Sequence, residues 1–514
     1  MSRSKKLSLL GVGILSIGYL ASLSACGSAS TGASAGGNTL RVAAAAFPST
    51  LDPHGGNEAA AAIVNRQVFE TLVYQNTAME IQPGLAKSWE YVDDRTIEFK
   101  LEEGVTFHNG EAFTAEDVVF SLNRALDSTF ISHIVEMIDR DSLEAVDDYT
   151  VRVGTTEPFS PLLSHLSHPA TAILDEGTVM DAGETFADHP IGTGPFKYED
   201  RVYGETITLV RNEDYYKDLA TIDGIEFRTI SEGSSRLIAL ETDEVDINLA
   251  VDPADVKRVE EDSHLTLVRD ADLSTSYLGF NVSKEPFNNK LVRQAINYAV
   301  DVEGMIEAVY EGIGARAVGP IGSAVFGYHN NLAPYEYNPE KAKELLAEAG
   351  YPDGFTTTIL TDENNVRVAL ATVIQNQLAA IGIQADVNQR EWATYISETA
   401  EGKTDMFLLS WSTVTGDADY GLDALFHSRN KGAAGNRTFY ENAQVDRLLD
   451  EGKVVTDEGK RLAIYEEVQE IIVEEAPWLF IRHGENLVGI NNRVENFELH
   501  PAAHHNLSQI KLAE

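Results

Sequence analysis

The chain has 514 residues, with 81 Asp and Glu against 39 Lys and Arg and a single cysteine. A formal net charge of −42 repels polyphosphate and argues against a nucleic-acid partner, while one cysteine excludes an intrachain disulfide and any zinc cluster of several thiolates. At 43% hydrophobic and 23% charged the composition is globular, the length suits two to four lobes of about 100–200 residues each, and so acidic a surface is easiest to sustain where salt screens it.

Arg3, Lys5 and Lys6 precede an apolar run from Leu7 to Leu23, closed by Leu23-Ser24-Ala25-Cys26. Basic end, apolar centre and small residues before a cut read as a secretory signal over residues 1–25, with an uncleaved anchor as the other reading of an apolar run this short. Leu-Ser-Ala-Cys resembles the bacterial lipobox, which implies that Cys26 is joined to diacylglycerol and becomes the mature N-terminus. Residues 26–38 are small and polar, as a flexible tether is, and the folded body is expected from Thr39. No later stretch approaches 18 apolar residues.

In the body, alternation predicts half-buried strands at Thr96–Leu101, Thr206–Val210 and Gly224–Arg228. Thr114 with Asp117 three residues on predicts a capped helix start, with Val118, Val119, Leu122 and Leu126 as its apolar stripe. Asn338-Pro339 predicts another start and Gly350 its left-handed end. A third helix is expected from about Val366 to Ala380, ending at Gly382 before a strand over Ile383–Val387. The order is mixed α/β, without a repeat of fixed period.

Catalytic signatures are sparse. There is no His-Glu-x-x-His helix, no phosphate loop and no dinucleotide fingerprint. His165 with His168, and His500 with His504 and His505, have spacings that can ligate nickel or zinc, but Pro169 disfavours helix beside His168 and the tail histidines are expected to be solvated. Asp417 and Asp419 can form an acid and base pair, or cap and solvate a loop.

More specific are Leu85-Ala86-Lys87-Ser88-Trp89, Gly104-Val105-x-Phe107-His108-Asn109-Gly110, Phe113-Thr114-Ala115-x-Asp117-Val118, Pro190-Ile191-Gly192-Thr193-Gly194-Pro195-Phe196, Asn212-x-x-Tyr215-Tyr216, Gly279-Phe280-Asn281 and Val292-Arg293-Gln294-Ala295-Ile296-Asn297-Tyr298-Ala299. Together, in this order, they resemble the family 5 solute-binding proteins of ABC importers, over nearly all of the expected mature chain. Each block also suits a structural role, with tight turns at Gly104 and Gly110, core at Trp89 and Phe107, and a stiff crossing at Gly192-x-Gly194-Pro195. The resemblance implies an α/β fold of the type II periplasmic-binding-protein kind, with two main lobes, a hinge and an inserted third domain. Lobe I would comprise residues 39–52, 190–275 and 482–514, lobe II 53–189 and lobe III 276–481, with the ligand between the first and third.

It further implies a receptor and not an enzyme: a monomer without cofactor or metal that closes on a peptide-like solute and hands it to ABC permease subunits. The protein would lie outside the cytoplasm, held on the bilayer by its diacylglyceryl anchor. Dipeptide receptors of the family carry a Trp and a Gly-Asp-Pro-Asp run, with an earlier Asp that takes the ligand's ammonium group. Here Trp411, Ser412, Thr415, Gly416, Asp417 and Asp419 match this segment, but Val414 stands at the earlier Asp. Trp411-Ser412 with Thr415-Gly416, and His168-Pro169-Ala170-Thr171-Ala172, are closer in pattern to the glutathione-binding branch. Where the dipeptide receptors meet a ligand carboxylate with Arg, this chain has Thr361-Asp362-Glu363, so Arg367 or Arg390 is the substitute. Phe47 and Ser49 at the end of the first strand, and Tyr277 and Asn281 at the lobe junction, complete the expected ligand-binding set. The alternatives are a secreted hydrolase using Asp417 and Asp419, or a nickel or haem receptor of the same family using the histidines.

Overall fold

Two long strands, Leu265–Phe280 and Trp478–Asn491, run antiparallel from Leu265 opposite Asn491 to Gly279 opposite Trp478. The structure is a computed structural model that describes residues 38–513, apart from Asn57 and the side chain of Glu184; the expected signal, Cys26 and the tether up to residue 37 lie outside the described residues. Midway, the pairing of the two strands shifts register between Ala271 and Thr275. Such irregularities bend a strand and sharpen its twist, so the strands change direction between the regions that they join.

An 11-stranded mixed sheet forms around this pair. On one flank stand Met406–Ser412, Thr356–Thr361 and Gln384–Gln389, and on the other Ile247–Asn248, Thr39–Ala44, Gly224–Thr229, Thr206–Arg211 and Phe196–Val202, while the two-residue strand Ala315–Arg316 pairs with Trp478–Asn491 off this path. Period-two alternation divides the first flank between two apolar layers. Leu278, Phe280, Met406 and Leu408 enter one, while Tyr277, Phe407, Leu409 and Trp478 enter the other. A separate four-stranded sheet of Ala86–Tyr91, Thr96–Leu101, Glu144–Asp147 and Thr150–Gly154 carries its own core with Phe99, Phe107 and Leu122. Around the first strand lies a further core, into which Val64, Val68, Phe69, Leu174 and Phe186 pack. These residues fall inside the expected lobe II segment, yet their apolar faces are buried against Leu40, Val42 and Ile225.

The helix punctuation acts as its residues dictate. The helix Ala115–Asp127 starts with Thr114 and Asp117 capping each other and buries Val118, Ser121, Leu122 and Ala125. Asn338 accepts a hydrogen bond from the Lys341 N–H to open the helix Pro339–Glu348, and Gly350 after it has φ +93°. The third helix spans Asn365–Ala379 and the strand after it Gln384–Gln389.

Gly192 and Gly194 serve close approach and not a turn, since a β-carbon on Gly192 would lie 2.1 Å from the Val68 carbonyl oxygen and one on Gly194 2.6 Å from that of Gln67. His108 ties this segment down through its Nε2 at 3.0 Å from the Gly194 carbonyl. Gly192→Ala is expected to cost about 1–3 kcal/mol by overpacking, read as a lower midpoint in urea unfolding at unchanged slope.

Candidate functional site

The strand Met406–Ser412 pairs with the central strand, Trp411 opposite Thr275 and Ser412 opposite Ser274, and delivers its end to a loop. Gly416 turns that loop with φ +70°, and a β-carbon there would come within 2.3 Å of the Met79 side chain. Met79 belongs to the connection between the strands Val73–Gln75 and Ile81–Pro83, and Gln75 Nε2 donates to the Thr415 carbonyl at 2.9 Å. Asp417 then caps the helix Ala418–Phe426 by accepting from the Asp419 N–H at 3.1 Å. The two acids therefore lie at a helix N-terminus and not along an extended strand.

They have different partners. Asp417, 2% exposed, accepts two hydrogen bonds from Arg461 Nη2, at 2.8 and 3.0 Å. Burial works against the charge on Arg461, but Asp417 and the Tyr465 phenol hold its guanidinium above the ordinary value, while burial raises the Asp417 carboxyl against the pull of Arg461. Asp419, 5% exposed, has Oδ2 3.6 Å from His165 Nε2 and Oδ1 3.9 Å from Lys453 Nζ. Burial raises its pKa, but His165 and Lys453 outweigh that and hold the carboxyl below its usual range.

A cavity opens on each side of this loop. One, of about 790 Å³, is lined by Gln75, Met79, Ser160, Phe326, Gly416 and Arg461. The other, of about 990 Å³, is lined by Phe159, His165, Trp411, Asp419, Tyr420 and Lys453 among others. Both volumes suit a small organic solute. Trp411 and Tyr420 form an aromatic wall with ring centroids 5.7 Å apart. Hydrogen bonds cross the same seam: the Ser160 N–H donates to the Lys453 carbonyl and its Oγ to that of Val455, both at 2.7 Å.

Of the expected ligand-binding residues, the loop brings together Trp411, Thr415, Gly416, Asp417 and Asp419, with Ser412 exposed beside them. The others stand elsewhere. Tyr277 stacks on Trp478 at 3.5 Å inside the core, and Asn281, 0% exposed, donates to the carbonyls of Gly402 and Thr404, so neither lines the cavities. Arg367 is held by Asp362 through two 2.6 Å hydrogen bonds, and Arg390 pairs with Glu398 at 3.2 Å. Phe47 packs on Tyr203 and Ser49 bonds Glu58. Arg461, Lys453, Gln75 and Met79 carry no local signal in the sequence, because their partners are far along the chain.

The tail histidines are not solvated. His504 lies edge-on to His168 and stacked with His500, at 5.6 and 5.5 Å between centroids, and His505 Nδ1 accepts from the His500 N–H at 3.2 Å. Among the described residues no group of three or more His, Cys, Asp or Glu is placed to hold a metal ion. Burial is the main cause that lowers these imidazoles, His168 and His505 to about 3 and His500 to about 4, with neighbouring histidines, or Arg66 in the case of His500, adding to it. They are neutral in the fold, whereas the unfolded chain titrates them near pH 6.5. Between about pH 4 and 6.5 the unfolded state thus binds more protons, and stability rises with pH across that window. Urea midpoints are expected to fall from pH 7.5 to pH 5; equal midpoints would contradict this packing.

A family model described as bacterial extracellular solute-binding proteins, family 5 Middle, matches residues 80–433. Heme-binding protein A of Haemophilus influenzae is 33% identical over 469 residues, covering 85% of each chain. Glutathione-binding protein GsiB of Pectobacterium atrosepticum is 32% identical over 457 residues, covering 86% of this chain and 88% of its own. Among solved structures, the periplasmic binding protein DppA of Helicobacter pylori in complex with the peptide STSA superposes with a TM-score of 0.77 at 31% identity, covering 93% of this chain and 98% of the other.

Proposed function

Because the chain belongs to the bacterial extracellular solute-binding proteins of family 5, we propose that it captures a peptide-like solute, a short peptide or a glutathione-like thiol peptide, for an ABC permease. Its fold is that of the type II periplasmic binding proteins, and its relatives are binding proteins of transport and not enzymes. The observation that carries the ligand class is the pair of cavities flanking Thr415–Tyr420, with polar side chains, one aromatic wall and buried charges lining them. A peptide needs this mixture of hydrogen-bonding groups, apolar walls and charge. Against the hydrolase reading, Asp417 is held by Arg461, which leaves only Asp419 of the expected acid and base pair.

Capture works by closure. Hydrogen bonds from Gln75 and Ser160 to Thr415, Lys453 and Val455 tie the two sides together, and opening would have to break them. To turn a closed-to-open ratio of 1:99 into 99:1, the solute must supply about 5.5 kcal/mol more interaction in the closed form. The division into lobes I, II and III, with bending where Leu265–Phe280 and Trp478–Asn491 change register, follows from this reading. So does acylation at Cys26, which predicts that labelled fatty acid enters the protein and is lost in Cys26→Ser.

The test is mass spectrometry of the solute that co-purifies, followed by calorimetry with glutathione and a dipeptide panel and by small-angle scattering. Binding with release of an unaltered guest and a smaller radius supports the proposal; a cleaved guest, or identical scattering with every guest, overturns it. Haem, named for the Haemophilus influenzae relative, is the second reading, and a Soret band formed with added hemin would favour it.

A further inference from the structure

With 81 acidic residues against 39 basic ones, a guanidinium in this chain has carboxylates in plenty to meet. Arg66 meets none. It lies in the last turn of the helix Ala59–Val68, half-buried, with its Cζ 5.1 Å from the centroid of the Tyr74 ring. Among the described residues it has no acid within 4.0 Å and no hydrogen-bond acceptor. Arg437 and Arg482 also lack an acid, yet they donate to the carbonyls of Ile396 and Ile313. Attraction to the carbonyl end of its own helix suits the charge of Arg66 but leaves the N–H fork without an acceptor.

Beside it is a crevice of about 80 Å³, lined by Arg66, Glu70, Tyr74, Tyr215, Lys217 and Asn506 among others. Glu70 is the one acid of this lining, and its charge is already met. It accepts from Thr193 Oγ1 at 3.1 Å and from the Tyr215 and Tyr216 hydroxyls at 3.0 and 3.1 Å, with Lys217 Nζ at 3.4 Å. Two cations against one satisfied carboxylate make the crevice positive, on a chain whose net charge is −42. Water takes about 30 Å³ per molecule, so the space admits about two or three waters, or one carboxylate or tetrahedral oxyanion. A guanidinium fork matches either anion bidentately. We propose that this crevice binds a small oxyanion, held by the Arg66 guanidinium beside Lys217. A carboxylate group and inorganic phosphate or sulfate share this chemistry. The ion would brace Tyr74 and with it the next residue, Gln75, whose amide donates to Thr415 across the seam.

Calorimetry with the whole mature chain tests the site with sodium phosphate, sodium sulfate and sodium acetate, in a zwitterionic buffer whose ionic strength is fixed with sodium chloride so that screening is equal. At least one of the three is expected to bind saturably, one ion per chain, with an affinity about tenfold lower or worse in Arg66→Met. The same ion should raise the thermal midpoint of the parent and not of that variant. Phosphate or sulfate preferred over acetate assigns the site to an inorganic ion, and acetate preferred assigns it to a carboxylate group. Should Arg66→Met not fold, Arg66→Lys keeps the charge without the fork and is expected to weaken binding about threefold or more. No saturable binding of any of the three, or equal affinity in the parent and the folded variant, would overturn the site. These outcomes are separate from the peptide reading, since Arg66 lines neither cavity beside Thr415–Tyr420.

Discussion

Asp417→Ala is expected to lower the unfolding free energy by about 3–5 kcal/mol, the cost of leaving a buried charge without its partner. Arg461 is 7% exposed, and its Nη2 gives two hydrogen bonds to Asp417 and one to the Tyr465 hydroxyl. Alanine would leave that guanidinium facing the Phe326 ring, 4.9 Å away, with no counter-charge at the same place. It would also remove the cap of the helix Ala418–Phe426, worth about 1 kcal/mol by itself. Because Asp419 rides on that helix, solute affinity is expected to fall as well, but as a consequence of the damaged fold. Asp417→Ala with Arg461→Met separates the two effects: removing both charges is expected to recover most of the stability, measured as the urea midpoint at neutral pH. If the single variant unfolds like the parent and loses only affinity, Asp417 is a ligand contact and the ion-pair account fails.

The comparison of Asp417 with Thr114 shows which information the sequence carries locally. Thr114 and Asp117 are three residues apart and satisfy each other's backbone N–H groups, so the helix start can be read from four letters. Asp417 and Arg461 are 44 positions apart, and Asp419 and His165 are further still. Nothing in either segment announces the other, because the pairing is made by the fold. Arg367 shows the converse: the carboxylate that holds it, Asp362, is five residues away and visible in the sequence. The Gly192-x-Gly194 motif is legible as structural but for a different reason, since its glycines admit the backbone of Val68. The tail histidines read as solvated because residues near a chain end usually are. Their burial follows from Gln67, whose side chain fixes the His505 carbonyl and the Leu507 N–H.

Tyr277 separates a core role from a ligand role most sharply. Its ring lies parallel to Trp478 at 3.5 Å with an interplanar angle of 4°, and meets Phe407 edge-on at 6.3 Å. Burial pushes the phenol above its ordinary pKa, so it remains neutral. Tyr277→Ala is expected to cost about 3–5 kcal/mol, as for other large aromatic truncations in a core, including the loss of a stacked pair worth about 0.5–1.5 kcal/mol. Tyr277→Phe keeps both ring contacts, so stability should change by less than about 1.5 kcal/mol, as for a volume-conserving swap. Its affinity for the co-purifying solute should stay within about twofold, since the ring lines neither cavity. A tenfold loss of affinity in Tyr277→Phe, with an unchanged urea midpoint, would mean that the hydroxyl reaches the solute in another conformation of the seam. The closed arrangement described by Gln75, Ser160 and Thr415 would then not be the one that holds it.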